Sequence, residues 1–143
     1  VETSIGLDRM FLAVFSNSLV EEELDNNTTR TVLKLPAVLA PTKAAILPLV
    51  KKDGLPEVAR KIMEDLKWDF NVFYDEKDAV GKRYRRQDAA GTPFCITVDH
   101  ETLENNTVTI RHRDTMKQQR VQISELNDII KQEVDVKTWL MKM

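Results

Sequence analysis

The sequence predicts an α/β fold in which helices flank a mainly parallel β-sheet with an antiparallel edge. Between residues 43 and 98, apolar runs of strand length alternate with helical patterns, which is typical of a parallel sheet. Two later segments, 107–113 and 117–123, alternate with period two and are close enough in sequence to form a hairpin. The 143 residues are 42% hydrophobic and 31% charged, as expected for one ordinary globular domain.

The first 42 residues have a different character. A helix is expected over residues 5–20, and its apolar stripe should fold back on the chain or pair with another copy. The stripe consists of residues at helical spacing: Leu7, Met10, Phe11, Val14 and Phe15. Residues 21–42 begin with the acidic run EEELD and show little periodicity, so we expect a linker.

The predicted organisation is therefore an appendage over 1–20, a linker over 21–42 and a domain over 43–143. Because the chain begins at Val1 rather than methionine, we expect it to be part of a longer protein.

Five strands and three helices are expected in the domain. The strands cover residues 44–50, 70–74, 93–98, 107–113 and 117–123, and the helices follow Gly54, cover 81–90 and follow Ser124. Pro48 has no N–H to donate to a ladder, so the first strand is expected at an edge or a bulge. Ser124 is the expected N-cap of the last helix.

Several classes of chemistry are excluded by composition. Cys95 is the only cysteine, which excludes an internal disulfide framework and a multi-thiolate metal site. Its mid-strand position indicates a buried thiol rather than a nucleophile. Two histidines and four scattered glycines form neither a metal motif nor a phosphate loop, and no apolar run approaches the ~20 residues of a membrane span. We expect a cytoplasmic domain with no metal and no membrane contact, non-catalytic by itself.

Two basic clusters stand out in a chain of formal net charge −2. The run KRYRR at 82–86 surrounds Tyr84 with four cations, just after a predicted strand, where open α/β sheets bind ligands. The second cluster lies on the predicted hairpin and comprises Arg111, Arg113, Lys117 and Arg120. Guanidinium groups suit phosphates and base faces, so the clusters indicate a polyanion. A solvated helix face and an ordinary exposed sheet remain the alternatives.

Four stretches carry a family resemblance. Residues 43–62 (KAAILPLVKKDGLPEVARKI), 79–99 (AVGKRYRRQDAAGTPFCITVD) and 107–126 (TVTIRHRDTMKQQRVQISEL) resemble the C-terminal anticodon-binding domain of homodimeric-type glycyl-tRNA synthetase. Residues 2–13 (ETSIGLDRMFLA) resemble motif 3, the last element of the class II catalytic domain. The sequence departs from the family pattern at Thr3, where a proline is usual, and at Ala89-Ala90, where Glu-Ile is usual.

The resemblance implies the class II synthetase anticodon-binding fold, a five-stranded mixed sheet with three flanking helices. It also implies a homodimeric parent enzyme that joins glycine to tRNA-Gly, using ATP and Mg²⁺, and that binds neither DNA nor a membrane. Arg9 matches the motif-3 arginine that binds ATP phosphate, and Glu2 and Ser4 match positions that hold glycine. This stretch of chain would complete no catalytic site and need no cofactor of its own.

Anticodon reading is expected at the first basic cluster and its neighbours. Glycine anticodons share two adjacent cytosines, and each requires an acceptor for its N4 amino group beside a cation. The candidates are Asp75, Glu76, Lys82, Arg83, Arg85, Arg86 and Asp88. Phosphates of the loop are expected at Arg111, Arg113 and Lys117. Tyr84 would stack on a base if it faces solvent, although such a position is more typical of a core residue.

Two other functions stay open at this stage. One is an accessory module, such as a polymerase processivity subunit that resembles the same domain; the glycine-site residues Glu2 and Ser4 count against it. The other is a small nucleotide-binding α/β enzyme, and the missing phosphate loop counts against that.

Overall fold

The computed structural model describes residues 3–24 and 28–141. In chain order the elements are α1 (Leu7–Ser18), β1 (Leu19–Leu24), β2 (Thr28–Leu33), β3 (Ala44–Pro48), α2 (Leu55–Leu66), β4 (Val72–Tyr74), α3 (Val80–Ala90), β5 (Phe94–Val98), α4 (His100–Asn105), β6 (Thr107–His112), β7 (Gln118–Gln122), α5 (Leu126–Val134) and α6 (Val136–Met141).

The central sheet has five strands in the order β4-β3-β5-β6-β7. β3 pairs in parallel with β4 and β5, whereas β6 runs antiparallel to both β5 and β7. The predicted mixed sheet is thereby confirmed, together with its antiparallel edge. The three longer helices of the domain, α2, α3 and α5, flank it as expected.

The two faces of the sheet differ in what covers them. The main hydrophobic core lies between the sheet and helices α2 and α5, where Ile46, Ile96, Leu55 and Ile130 are fully buried. The opposite face, beneath α3, has a much smaller apolar cluster of Ala45, Leu47 and Cys95, with Tyr84 packed against it. Because successive strand residues point to opposite faces, polar side chains of β5 and β6 also face α3.

Residues 21–42 are not a featureless linker, and this expectation is corrected. Most of an antiparallel hairpin lies there, formed by β1 and β2, with Leu19 opposite Leu33 and Glu22 opposite Arg30. Val32 and Leu33 are buried, and β2 packs beside α3. The hairpin was missed because its partner surface comes from a distant helix rather than from a local apolar pattern.

Two further expectations were wrong. β3 occupies an interior position of the sheet, and Pro48 is tolerated there because it is the last residue of the strand. Ser124 does not cap the last helix, since it lies inside a short 3-10 turn, Ile123–Glu125, that leads into α5. There the Glu125 carboxylate accepts a hydrogen bond from the backbone N–H of Gln122 at 3.1 Å.

Helix α1 borders an apolar groove of about 350 Å³, together with Leu35, Leu39 and Pro41. The helix and this segment thus lie on opposite sides of one groove. The groove leaves much of the stripe uncovered, because Leu7 and Phe11 remain 76% and 67% exposed. None of the helices in the described ranges is long and apolar enough to cross a membrane.

Candidate nucleic-acid interface

Helix α3 presents two chemically distinct faces. Arg83, Gln87 and Asp88 are buried against the sheet. The face toward β2 instead carries Lys82, Arg85, Arg86 and Ala89, which recur at helical spacing and are exposed. Gly91 ends the helix in the left-handed conformation, with φ 81°. One basic run of sequence is thus divided between a buried and an exposed set.

Asp88 is the centre of a buried charge network. Its carboxylate accepts two hydrogen bonds from Arg111 of β6, at 2.8 and 3.0 Å, and one from Arg30 of β2 at 2.9 Å. Arg30 also pairs with Glu22, which in turn pairs with Lys34. Burial disfavours the charge of Arg111, but the contact with Asp88 outweighs this effect and raises the pKa of Arg111.

Arg113 is tied to backbone carbonyls at the end of β6. Its Nη1 donates to the Gly91 carbonyl at 2.8 Å and its Nη2 to the Leu35 carbonyl at 2.7 Å. A salt bridge to Asp114 at 2.7 Å completes its contacts. Burial opposes ionisation of Asp114, yet the Arg113 guanidinium holds the pKa of that carboxyl below its usual value.

Arg83 joins the carboxyl ends of β3 and β4. Its guanidinium donates to the carbonyls of Pro48 at 2.6 Å, Leu49 at 3.2 Å and Asp75 at 3.2 Å. Burial lowers the pKa of Arg83 from the usual arginine value. These strand ends form the edge of the sheet where open α/β folds bind ligands. Arg83 therefore holds this edge together through hydrogen bonds from within the domain.

Four of the residues predicted to contact RNA directly are instead buried inside the domain, and the prediction is corrected for them. Arg83, Asp88, Arg111 and Arg113 are each less than 7% exposed, and each contacts other parts of the domain. A buried charge requires such partners, and the face of β6 that carries Arg111 is covered by α3 rather than open to solvent. The sequence showed a basic cluster but not which of its members had internal partners.

Tyr84 is partly buried and packs against the small apolar cluster beneath α3. Its hydroxyl hydrogen-bonds the Thr97 hydroxyl at 2.6 Å, and the Arg111 guanidinium lies 4.8 Å from the ring centroid. Burial raises its pKa. Its ring packs beneath α3 and is not a stacking surface for a base.

Arg86 and Asp75 remain together at the surface. Arg86 donates to the Asp75 carboxylate at 2.7 Å, to Asp78 at 2.8 Å and to the Lys77 carbonyl at 2.6 Å. Burial opposes ionisation of Asp75, but hydrogen bonds from Arg86 and from the Lys77 amide hold its pKa below the usual value. The hydrogen bonds that Arg86 donates to Asp75 and Asp78 raise the pKa of its guanidinium. A cation and an acceptor thus lie side by side at the β4–α3 corner.

Glu76 lies at the same corner but has other partners. It accepts a hydrogen bond from the Tyr74 hydroxyl and lies 3.6 Å from the Arg60 guanidinium. Burial and the contact with Glu76 raise the pKa of Tyr74 to about 12. Glu76 is therefore an acceptor that is already engaged by α2 and β4.

The remaining candidates divide between the two sides of the sheet. Lys82 and Arg85 are exposed and have no ion-pair partner in the described ranges. Lys117 is also exposed, but it borders a cavity with Ile110 and Ile129 on the α5 side. The structure therefore does not bring Lys117 together with the α3 cations.

The N-terminal candidates complete no site in the described part of the chain. Ser4 and Arg9 are both exposed, and Glu2 lies outside the described residues. No group of three or more His, Cys, Asp or Glu within residues 3–24 and 28–141 is arranged to hold a metal ion.

Sequence reasoning missed Arg30, which anchors the hairpin to Asp88. The available signal was the pair of strand-like segments at 19–24 and 28–33, the second rich in β-branched residues and separated from the first by asparagines.

Comparison with known proteins identifies the fold and the family. The sequence model described as the anticodon binding domain matches residues 43–133. The chain belongs to the anticodon-binding domain family. The family expected from the sequence resemblance is thereby confirmed, and the match covers the central sheet together with α2, α3 and almost all of α5. The β1–β2 hairpin, which supplies Arg30, lies outside the matched residues.

The curated relatives of this anticodon-binding domain are glycine–tRNA ligases. The chain is 52% identical over 134 residues to the enzyme of Borrelia hermsii, covering 94% of the chain and 30% of the relative. It is 55% identical over 130 residues to the enzyme of Rhodopirellula baltica, covering 88% and 24%. The chain thus spans about a quarter to a third of the length of these relatives.

Solved structures confirm the fold. The RNA binding domain of threonyl-tRNA synthetase from Cryptosporidium parvum superposes with a TM-score of 0.63 at 22% identity, covering 70% of this chain and 25% of that one. Prolyl-tRNA synthetase from the same organism superposes with a TM-score of 0.65 at 18% identity, covering 86% and 32%. At these identities the likeness establishes the architecture alone.

Proposed function

We propose that this anticodon-binding domain recognises the anticodon of tRNA-Gly at the β4–α3 corner, as part of a cytoplasmic, homodimeric glycine–tRNA ligase. The observation that carries the proposal is the exposed Arg86 guanidinium, which lies 2.7 Å from the partly buried carboxylate of Asp75. The identity to glycine–tRNA ligases supports the choice of tRNA. The interaction would be with RNA and not with DNA or a membrane.

The chemistry of the pair matches a flipped-out cytosine. The Asp75 carboxylate can accept a hydrogen bond from the N4 amino group. Arg86 has one N–H left on Nη1 after its bonds to Asp75, Asp78 and the Lys77 carbonyl, and this N–H can donate to N3. Asp78 and the Lys77 carbonyl hold the guanidinium at the corner, so its orientation is set before RNA arrives. Single-stranded loops are recognised on these base edges.

In the parent enzyme, glycine would be activated with ATP and Mg²⁺ and transferred to tRNA. Arg9 would contact an ATP phosphate, and Glu2 and Ser4 would hold the amino acid, through the carboxylate–ammonium and guanidinium–phosphate pairings that suit these groups. In this proposal the anticodon-binding domain supplies selection of the tRNA. The 143-residue chain should therefore show no glycine-dependent ATP–pyrophosphate exchange, and measurable turnover would contradict this part.

The test is binding of the tRNA-Gly anticodon stem-loop, compared with a stem-loop in which one of the two shared cytosines is uracil. Arg86→Ala and Asp75→Asn should each weaken binding of the cytosine form by about 1–3 kcal/mol and reduce the discrimination between the two RNAs. Lys61→Ala is the matched control, because Lys61 is exposed on α2, against the other face of the sheet. If both variants bind and discriminate like the unaltered chain, the corner is not the reader.

A further inference from the structure

A groove separates the edge of β2 from the exposed face of α3. Its volume is about 470 Å³, and it is lined by Thr29, Arg30, Thr31, Lys82, Arg85, Arg86 and Ala89. We refer to it as the β2–α3 groove. The sequence model of the family matches residues 43–133, and β2 precedes them. This groove is therefore formed between the matched domain and an element that lies outside the match.

The β2–α3 groove carries an excess of positive charge. Lys82 and Arg85 have no ion-pair partner in the described part of the chain, so their positive charges are available to an anionic ligand. The described lining residues include four cations and no carboxylate; Arg30 and Arg86 are paired with carboxylates outside the lining, whereas Lys82 and Arg85 are not. Cations that are not neutralised internally favour an anionic ligand.

The residues that line the groove suit backbone phosphates better than bases. None of the residues that line the groove is aromatic, so it offers no ring on which a base could stack. The lining side chains without an ion-pair partner in the described ranges are Lys82 and Arg85, and such cations contact phosphate oxygens. The groove is therefore suited to phosphates and poorly suited to base recognition.

The carboxylates nearest the groove are already paired with two of its arginines: Glu22 with Arg30, and Asp75 and Asp78 with Arg86. Glu23 is paired with Thr29 and Glu21 with Thr31 across the hairpin, so these carboxylates share a face with the threonines but lie one strand further from α3. Their repulsion would keep an anionic ligand against the helix. The open path thus runs along Lys82 and Arg85 toward Arg86.

We propose that the β2–α3 groove binds the sugar–phosphate backbone of RNA next to the bases held at the β4–α3 corner. The inference rests on the proposed function and extends it, because Arg86 belongs to both surfaces. The hairpin then acts as one wall of the RNA site, and the Arg30–Asp88 salt bridge positions that wall against α3. Contacts of this kind contribute affinity that depends on salt and is independent of base identity.

Adjacent alanines provide a matched test. Ala89 lines the groove and Ala90 does not, although both are exposed at the end of α3. Ala89→Lys should strengthen binding of the anticodon stem-loop about fivefold more than Ala90→Lys, which is the factor that one Coulombic contact at ~4 Å supplies in water. Both variants add the same charge at the same end of the same helix, so a general electrostatic effect would strengthen both equally.

A second pair of variants tests the phosphate contacts by removal. The double variant Lys82→Ala, Arg85→Ala should reduce the slope of log K against log salt by about 0.7–0.9 for each phosphate that is no longer neutralised, whereas Lys61→Ala should leave the slope unchanged. Equal effects of Ala89→Lys and Ala90→Lys, or an unchanged slope in the double variant, would overturn the proposal.

Comparing the stem-loop that carries both cytosines with the one in which a cytosine is uracil tests the groove and the corner separately. Removing the groove cations should lower the affinity for the cytosine stem-loop and for the uracil stem-loop by the same factor, because phosphates carry no sequence information. If the unaltered chain does not discriminate between the two RNAs, base reading at the corner fails, while the salt slopes still decide whether the groove binds backbone.

Discussion

Asp88 and Arg111 form a bidentate salt bridge inside the domain, with nitrogen–oxygen distances of 2.8 and 3.0 Å. Their side chains are 1% and 7% exposed. Arg30 adds a third hydrogen bond to the same carboxylate at 2.9 Å, so Asp88 connects α3 to both β6 and β2. A residue expected to contact RNA instead holds together the elements that would present the RNA-binding surface.

Asp88→Ala should lower the free energy of unfolding by about 3–5 kcal/mol, because it leaves the guanidinium groups of Arg30 and Arg111 buried without their shared carboxylate. Urea denaturation measures this change. Asp78→Ala is the control, since Asp78 pairs with Arg86 at the surface, where an ion pair contributes little. Equal stability of the two variants would show that the buried network does not hold α3 in place.

Gly91→Ala and Gly81→Ala should change stability in opposite directions. Gly91 has φ 81°, and a Cβ there would lie 3.2 Å from both the carbonyl oxygen and a methyl carbon of Leu33, so we expect a loss of about 1–2 kcal/mol. A Cβ on Gly81 would meet nothing within 4 Å, and alanine should stabilise the helix by about 0.5–1 kcal/mol. Thermal unfolding of both variants measures the difference. Stabilisation by Gly91→Ala would mean that Leu33 of the hairpin does not pack there.

Asp99 should make the domain sensitive to acid. Hydrogen bonds from Arg120, at 2.6 and 2.8 Å, lower the pKa of this carboxyl below its usual value and outweigh the effect of burial. Because the pKa is lower in the folded state, the stabilisation is present above the unfolded value of about 3.9 and is lost as pH falls through the folded value. Unfolding free energies measured from about pH 5 downward should therefore fall less steeply for Asp99→Asn than for the unaltered chain. Identical slopes would exclude Asp99 as a contributor.

Cys95 should be unreactive while the domain is folded. Burial raises the pKa of its thiol to about 12, and the side chain is 1% exposed in the middle of β5. At about pH 8 a disulfide reagent should therefore label the thiol only after denaturation in urea, because the thiolate is the reactive species. Labelling of the native chain at the rate of a free thiol would contradict the burial of this strand.

Local patterns were sufficient to predict the central architecture. The alternation of apolar runs and helical spacing between residues 43 and 98 predicted β3, α2, β4, α3 and β5, because such periodicity reflects which face of each element is buried. The period-two segments after residue 106 predicted β6 and β7 for the same reason. The basic run at 82–86 lies on α3, next to the carboxyl edge of the sheet, and the site proposed at that edge stays a prediction.

Three-dimensional packing decided which charged residues are available to a ligand. Arg83 and Arg86 are three residues apart on one helix, yet the first is buried and donates to three backbone carbonyls, whereas the second lies exposed beside Asp75. Arg30 joins Asp88 across 58 positions of sequence. The energy of a charged group depends on its partners and on its access to water. These partners come from distant segments, so local sequence determined the elements of the fold, whereas tertiary structure alone determined which cations stabilise the domain and which face the β2–α3 groove.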